Sequence, residues 1–421
     1  MNFFRILLFV PLFSFSQLQW APLAGISDNI NGQRYDDVFF LNDDLGWAAN
    51  GFYASVHKTT DGGETWTEQL NEDDLTGDFY FRNIEFLNEN IGFIGTLNGT
   101  FFKTINGGDD WTEESITPNP VAICGIDAIG ASTVYGCGAF FGPAFIIKST
   151  DSGDTWQYID MSAYAEALVE ILFTDENTGY AAGRNANGAT LLKTTNGGGS
   201  WTEIYNSGQQ GEFVWKFQIL DSDPDHMFGA IEASATNMGK VIVSSNGGDT
   251  WQSYDAPETH IQAVGFISPT QGWMGGHTTG FYETTDGGQT WTNLNIGSNL
   301  NRIFVIRNDL AYASGTGIYK FTNATLSTDS FAESSRVPLP VSVASNPIGN
   351  ELKITIDYPK SDNMVIELYD ASGRFLKHLA RDINTPQGIK EYSFAFPWSS
   401  GIYLIDLHSN TGRQTLKVVK Q

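Results

Sequence analysis

A six-residue pattern (Asp or Asn, any residue, Gly, any residue, a hydroxyl or acid, Trp) occurs six times and constrains this chain more than any other feature. It begins at Asp61, Asn106, Asp151, Asn196, Asn246 and Asp286. The closing tryptophans, Trp66, Trp111, Trp156, Trp201, Trp251 and Trp291, are spaced 45, 45, 45, 50 and 40 residues apart. A unit of that size cannot bury its own apolar face and must stack on its neighbours. Locally the pattern is a hairpin turn. Asp or Asn caps its own backbone two residues on, and the glycines take positive φ without steric cost. The Thr or Ser hydroxyl closes the turn, and the Trp opens the next strand and packs inward. Asn replaces Asp at Asn106, Asn196 and Asn246, which keeps the turn chemistry but not a charge, so these six residues read as structural.

Each repeat has one layout between turns. A short apolar strand comes first (37–41, 83–87, 125–128, 170–173, 216–219, 263–267 and 302–306), then a polar turn ending in Gly, a small-residue strand, and a third strand running into the pattern. Four short antiparallel strands per repeat make one propeller blade, and the seven first strands make seven blades. The seventh unit ends at Gly317–Phe321 without the pattern. Leu18–Ala21, which resembles the strand after the turn in other repeats, is expected to supply its fourth strand and so remove an exposed edge. The fold class is all-β: a seven-bladed β-propeller closed by an N-terminal strand, followed by a small Ig-like β-sandwich.

The turns resemble the Asp-box (BNR repeat), and the likeness to Asp-box propellers covers 17–323. The equal repeats and seven blades look most like the photosystem II stability and assembly factor group. That resemblance implies the fold and not the photosystem role, because bacterial secreted relatives are not photosynthetic. Sialidases and sortilin-type receptors share the box with other blade counts.

The two ends read differently. Residues 1–16 form a signal peptide, with Arg5 as its charge, Ile6–Phe13 as its apolar stretch, and Ser14 and Ser16 before the cleavage point. Residues 324–340, rich in Ser, Thr and Pro, read as a linker. Residues 341–421 carry alternating runs at Leu352–Ile356, Met364–Tyr369, Tyr392–Phe396, Ile402–Leu407 and Thr415–Val419, a small antiparallel sandwich. Asn346-Pro347, the segment Leu368–Arg374, Gly401–Leu404 and the final Lys417–Lys420 resemble the type A sorting domain of the type IX secretion system. The resemblance implies the secretion machinery as partner and a secreted or outer-surface product that has crossed the periplasm. The other reading is an Ig-like module of an adhesin. No later stretch reaches about 18 apolar residues, so no transmembrane segment is expected.

Lys and Arg number 23 against 48 Asp and Glu, a net charge of −25, which disfavours a nucleic acid partner. The six histidines show no metal-ligand spacing, so no metal or cofactor is expected. Asp221–Asp225 resembles the start of a calcium loop, but His226 occupies the position that needs Gly, so a variant turn is the reading. No catalytic residues stand out. A sialidase reading would require an arginine triad, and Arg34, Arg82 and Arg302 stand near first strands at unequal offsets. Pairing with Asp36, Asp37 or other local acids is the simpler account. Function in such a fold is expected on the face opposite the boxes, made by loops entering first strands and loops joining second to third strands. There Asp74, Phe79, Tyr80, Arg82, Phe141, Arg184, Trp215 and Arg302 are the candidate ligand-binding residues. The reading is a monomeric, non-catalytic scaffold for a protein or glycan ligand, the alternative being a glycan-processing hydrolase of sialidase or other glycosidase type. Cys124 and Cys137, placed opposite each other by a register in which Ala128 faces Thr133 and Ile126 faces Tyr135, are expected to form a disulfide, two buried thiols being the alternative.

Overall fold

A computed structural model describes residues 18–26, 33–140, 142–234, 237–323, 341–358, 360–370, 375–409 and 413–421. The expected signal peptide and linker lie outside these residues. The chain divides into two compact units at 325/326.

In the first unit, seven four-stranded antiparallel sheets follow one another. The first strands are Tyr35–Phe40, Phe81–Phe86, Gly125–Ile129, Ala167–Phe173, Phe213–Ile219, Ile261–Phe266 and Arg302–Arg307. Each contacts the first strand of the next blade, and the last returns to Tyr35–Phe40, closing the ring. Several begin earlier than expected, because a one-residue irregularity near the start, as between Tyr35 and Asp37, extends the strand past its polar entry residues. The seventh sheet is completed by Leu18–Pro22, whose Leu18 pairs with Asn323 and Trp20 with Phe321. Trp20 is 3% exposed and stacks on Phe281 of blade six at 4.3 Å.

An aromatic stack holds neighbouring blades together. The Phe ending a first strand lies flat on the second-strand aromatic of the blade before it: Phe40 on Tyr312 at 3.5 Å, Phe86 on Trp47 at 3.5 Å, Phe173 on Tyr135 at 3.7 Å, Phe266 on Phe228 at 3.7 Å. The glycine ending the polar turn exists for this ring. A Cβ on Gly46, Gly92, Gly179 or Gly272 would stand 2.4–2.5 Å from the Phe beside it. Four of the six box tryptophans, Trp66, Trp111, Trp201 and Trp291, then meet that Phe edge-on, as Trp66 meets Phe40 at 6.1 Å and 89°. Such pairs add about 0.5–1.5 kcal/mol each beyond burial.

The box is a four-residue clamp rather than the two-residue cap expected. Asp61 Oδ1 accepts the Thr65 N–H at 2.9 Å, four residues on, and Asp61 Oδ2 accepts the Thr65 hydroxyl at 2.6 Å. A Thr or Ser two residues before each box supplies the rest: Thr59 donates to Asp61 at 2.8 Å and accepts from Gly63 N–H at 2.9 Å. Thr104, Ser149, Thr194, Ser244 and Thr284 repeat this. The box also latches to the preceding blade. The Gly62 carbonyl accepts from Tyr312 and Lys320, at 3.0 and 2.8 Å, and the Gly197 carbonyl from Tyr135 and Lys148, at 3.2 and 2.8 Å.

Cys124 and Cys137 are free thiols. The hairpin pairs Ile129 with Thr133, Ile126 with Gly136 and Gly125 with Cys137, one residue off the expected register, because the turn holds three residues. A one-residue slip moves a side chain to the other face of the sheet. Cys124 accordingly packs with Ile123, Phe145 and Ile147, and Cys137 with Ala144, Ile146 and Leu168.

The second unit is a two-sheet sandwich around Leu352, Ile354, Ile366, Leu368, Ile405 and Leu407. Two strands were not expected, Val341–Val343 and Phe375–Thr385. Asn346 fastens the last strand, donating to the Lys417 carbonyl and accepting from Val419 N–H, both at 2.8 Å.

Candidate functional site

First strands of different blades share no hydrogen-bonded ladder, so their side chains must join them. Asp37 accepts from Ile84 N–H at 3.1 Å, and Asp127 from Phe173 N–H at 2.8 Å. Gln218 bonds both the N–H and the carbonyl of Phe266, at 2.6 and 2.9 Å.

Two polar layers cross the middle of the ring. The layer nearer the entry loops is centred on Asp36, 1% exposed. Its carboxylate receives Tyr80 Oη at 3.0 Å, Arg34 at 3.2 Å and Arg82 at 3.4 Å. Arg34 also donates to Gln262 at 2.7 Å, and Gln262 to Glu232 at 3.0 Å, which joins blades one, two, five and six. Burial, then the Asp36 charge, pushes the Tyr80 hydroxyl up to about 12. One residue deeper, Lys216 of blade five meets Glu170 of blade four at 2.5 Å. Arg302 of blade seven bridges Glu170 and Asp37, each at 3.3 Å.

Acids crowd this second layer. Burial raises Asp37 against the pull of Arg302, and lifts Asp127 to about 7. Glu85 stands well above its ordinary value through burial and the neighbouring Asp127 charge. Burial draws Lys216 down, with Glu170 holding part of its charge in place.

On the entry-loop face an aromatic cluster adjoins the first layer. Phe213 meets Trp215 at 5.8 Å, and Phe140 meets them at 5.2 and 5.7 Å. Two guanidiniums cover it, Arg82 5.6 Å from the Trp215 ring and Arg184 4.5 Å from the Phe213 ring. Arg82 and Trp215 are 4% and 8% exposed, and Arg82 Nη2 and Trp215 Nε1 have no hydrogen-bond partner among the described residues.

Of the sequence-predicted residues, Tyr80, Arg82, Trp215 and, through Phe213, Arg184 come together here. Arg302 lies in the deeper layer. Asp74 turns back to accept from Asn71 N–H at 3.1 Å, and Phe79 packs edge-on against Phe102 at 5.1 Å. Phe141 lies outside the described residues. The box residues occupy the opposite face. Asp221–Asp225 is the turn between the first two strands of blade five, with His226 paired to Asp223 at 2.8 Å. Arg34, Arg82 and Arg302 are each matched by an acid, Arg34 and Arg82 by the same one. Sequence reasoning missed Glu85, Asp127, Glu170 and Lys216. An acid or Lys inside an apolar first strand was the visible signal, but nothing in one blade names its partner in another.

Residues 17–156 match the family model for photosynthesis system II assembly factor YCF48, and residues 343–421 match the secretion system C-terminal sorting domain. None of the curated proteins compared with the chain matches it. The solved structure of YCF48 bound to D1 peptide superposes with a TM-score of 0.55 at 18% identity, covering 74% of this chain and 99% of that one. YCF48 from Cyanidioschyzon merolae gives 0.55 at 18% identity, over 72% and 98%. PorZ, a surface component of the type-IX secretion system of Porphyromonas gingivalis, gives 0.53 at 14% identity, over 95% of this chain and 61% of that one. At these identities the likeness is one of fold. The chain therefore joins a YCF48-like propeller to a type IX sorting domain, and that domain marks it for secretion or the outer surface. No helix among the described residues is long and apolar enough to cross a membrane.

Proposed function

We propose that the exported propeller is a non-catalytic binding scaffold that holds a protein segment on its entry-loop face, across Arg82, Trp215, Phe213 and Arg184. One observation carries the reading. Of the five large apolar side chains exposed among the described residues of the propeller, Phe52, Val121, Tyr164 and Met238 stand in loops of this face, and Ile105 is on the box face. They come from different blades, on the face that also carries an aromatic cluster topped by guanidiniums, the composition that anchors protein partners. A peptide held by a propeller of the same architecture supports that ligand class. The sialidase alternative needs three guanidiniums free for a substrate carboxylate, and here each already faces an acid. Parallel peptide and glycan arrays, with a hydrolysis screen on sialosides and polysaccharides, test the proposal on the full chain. Peptide capture without turnover is expected. Glycan capture alone would replace the ligand class, and turnover would overturn the scaffold reading.

A further inference from the structure

On the opposite face, a cavity of about 720 Å³ opens among blades four to seven. Its floor is the deeper polar layer, Glu170, Lys216 and Arg302, and its mouth is lined by Asp221, Ser222, Ser268, Asn308 and Arg307, the last already paired with Asp43 and Asp309. We infer that this cavity is a second binding site, for a neutral small molecule with an apolar body and a hydroxyl or carbonyl at one end.

The walls supply the apolar part. First strands of blades one, two and six are buried along their whole length. In blade seven Phe304, Val305 and Ile306 are only half-buried, as are Leu172 of blade four and Ile219 of blade five, and all five line the cavity. Apolar inner-strand side chains left uncovered at the middle of a ring form a surface that gains by excluding water. The volume is that of a pocket for a drug-sized ligand.

The floor selects against ions. Lys216 is answered by Glu170, and Arg302 by Glu170 and Asp37, so two cations already face two acids. An ionic ligand would have to desolvate without an unmatched partner. A hydroxyl or carbonyl needs only a share of an existing donor or acceptor. The polar end therefore points to the floor and the apolar body lies along Leu172, Ile219, Val305 and Ile306. This site is independent of the entry-face proposal and stands or falls apart from it.

The test uses the full chain with 2-naphthol, 4-phenylphenol and cyclohexanol as neutral probes and 2-naphthoate as the ionic control. Titration calorimetry gives affinity, and intermolecular NOEs to methyl-labelled Leu172, Ile219, Val305 and Ile306 give location. At least one neutral probe should bind one to one with NOEs to those methyls, and 2-naphthoate should bind about tenfold more weakly or worse. Val305→Phe, or Ile306→Phe if the first does not fold, should fill the cavity and abolish binding. No binding by any neutral probe, NOEs elsewhere, tighter binding of 2-naphthoate, or undiminished binding in a folded filled variant would each overturn the inference.

Discussion

At the rim, the box carboxylates of Asp151 and Asp286 are held below their ordinary range, Asp151 at about 2, by hydroxyls and N–H groups of their own turns. At the hub, burial holds Asp37, Glu85 and Asp127 above theirs. The same side chains thus do opposite things. A rim carboxylate is a local device, satisfied within six residues and replaceable by Asn in three boxes of six. A hub acid is satisfied across blades, and its charge state depends on residues more than a hundred positions away. The contrast separates parts that shape each hairpin from parts that join blades into one ring.

Breaking the hub should cost most. Glu170→Gln leaves Lys216 without its buried counter-charge and should lower unfolding stability by about 3–5 kcal/mol, read from urea denaturation. The double variant Glu170→Met with Lys216→Met should recover most of that loss, because it removes both desolvated charges. If the double variant is as unstable as the single one, the pair is not the unit of stability.

The pH dependence should differ in sign between the two regions. Asp127 titrates near 7 in the fold against an ordinary value of 3.8. Its stabilising contribution is therefore complete below the lower value and lost as pH rises through about 7. The rim carboxylates run the other way, their contribution being present above 3.8 and lost as pH falls toward about 2. His277, drawn down to about 4 chiefly by burial, also loses stability on acidification, between its ordinary 6.5 and that value. Comparing wild type with Asp127→Asn isolates the hub: wild type should gain stability relative to the variant as pH drops from about 7 toward 4. A constant difference would show that Asp127 is ionised throughout.

Asp61→Ala at the rim should lower stability by about 0.5–2 kcal/mol through loss of the turn clamp, and Asp61→Asn by less. An equal loss in both would mean that the charge matters, contrary to the boxes that carry Asn. The smallest effect belongs to the cysteines. Alkylation in denaturant without reductant should add two labels by intact mass, and added reductant should leave Tm unchanged. No added label would restore the disulfide.

Much of the fold was legible because the box is local: Gly, Asp and Trp at fixed offsets report turn geometry directly, and the repeat indicated blade count and closure by a strand at Leu18–Ala21, one residue short of the Leu18–Pro22 strand observed. The Thr or Ser two residues before each box was equally visible and went unread, since its role shows only once the clamp is seen. The cysteine register failed because a two-residue and a three-residue turn around Gly130 look alike in sequence. Phe375–Thr385 was missed because an edge strand lacks the clean apolar alternation of a covered one. The hub was illegible for a different reason. Arg302 and Glu170 are 132 residues apart, and only closure of the ring brings them together.

The division of labour between faces is tested most directly by measuring ligand affinity and Tm together in Arg184→Glu and Asp61→Ala, with a peptide captured by the full chain. Arg184→Glu should weaken binding by about tenfold or more with Tm unchanged, and Asp61→Ala should lower Tm with Kd unchanged. The reverse pattern, binding lost at the box and kept at Arg184, would contradict the account.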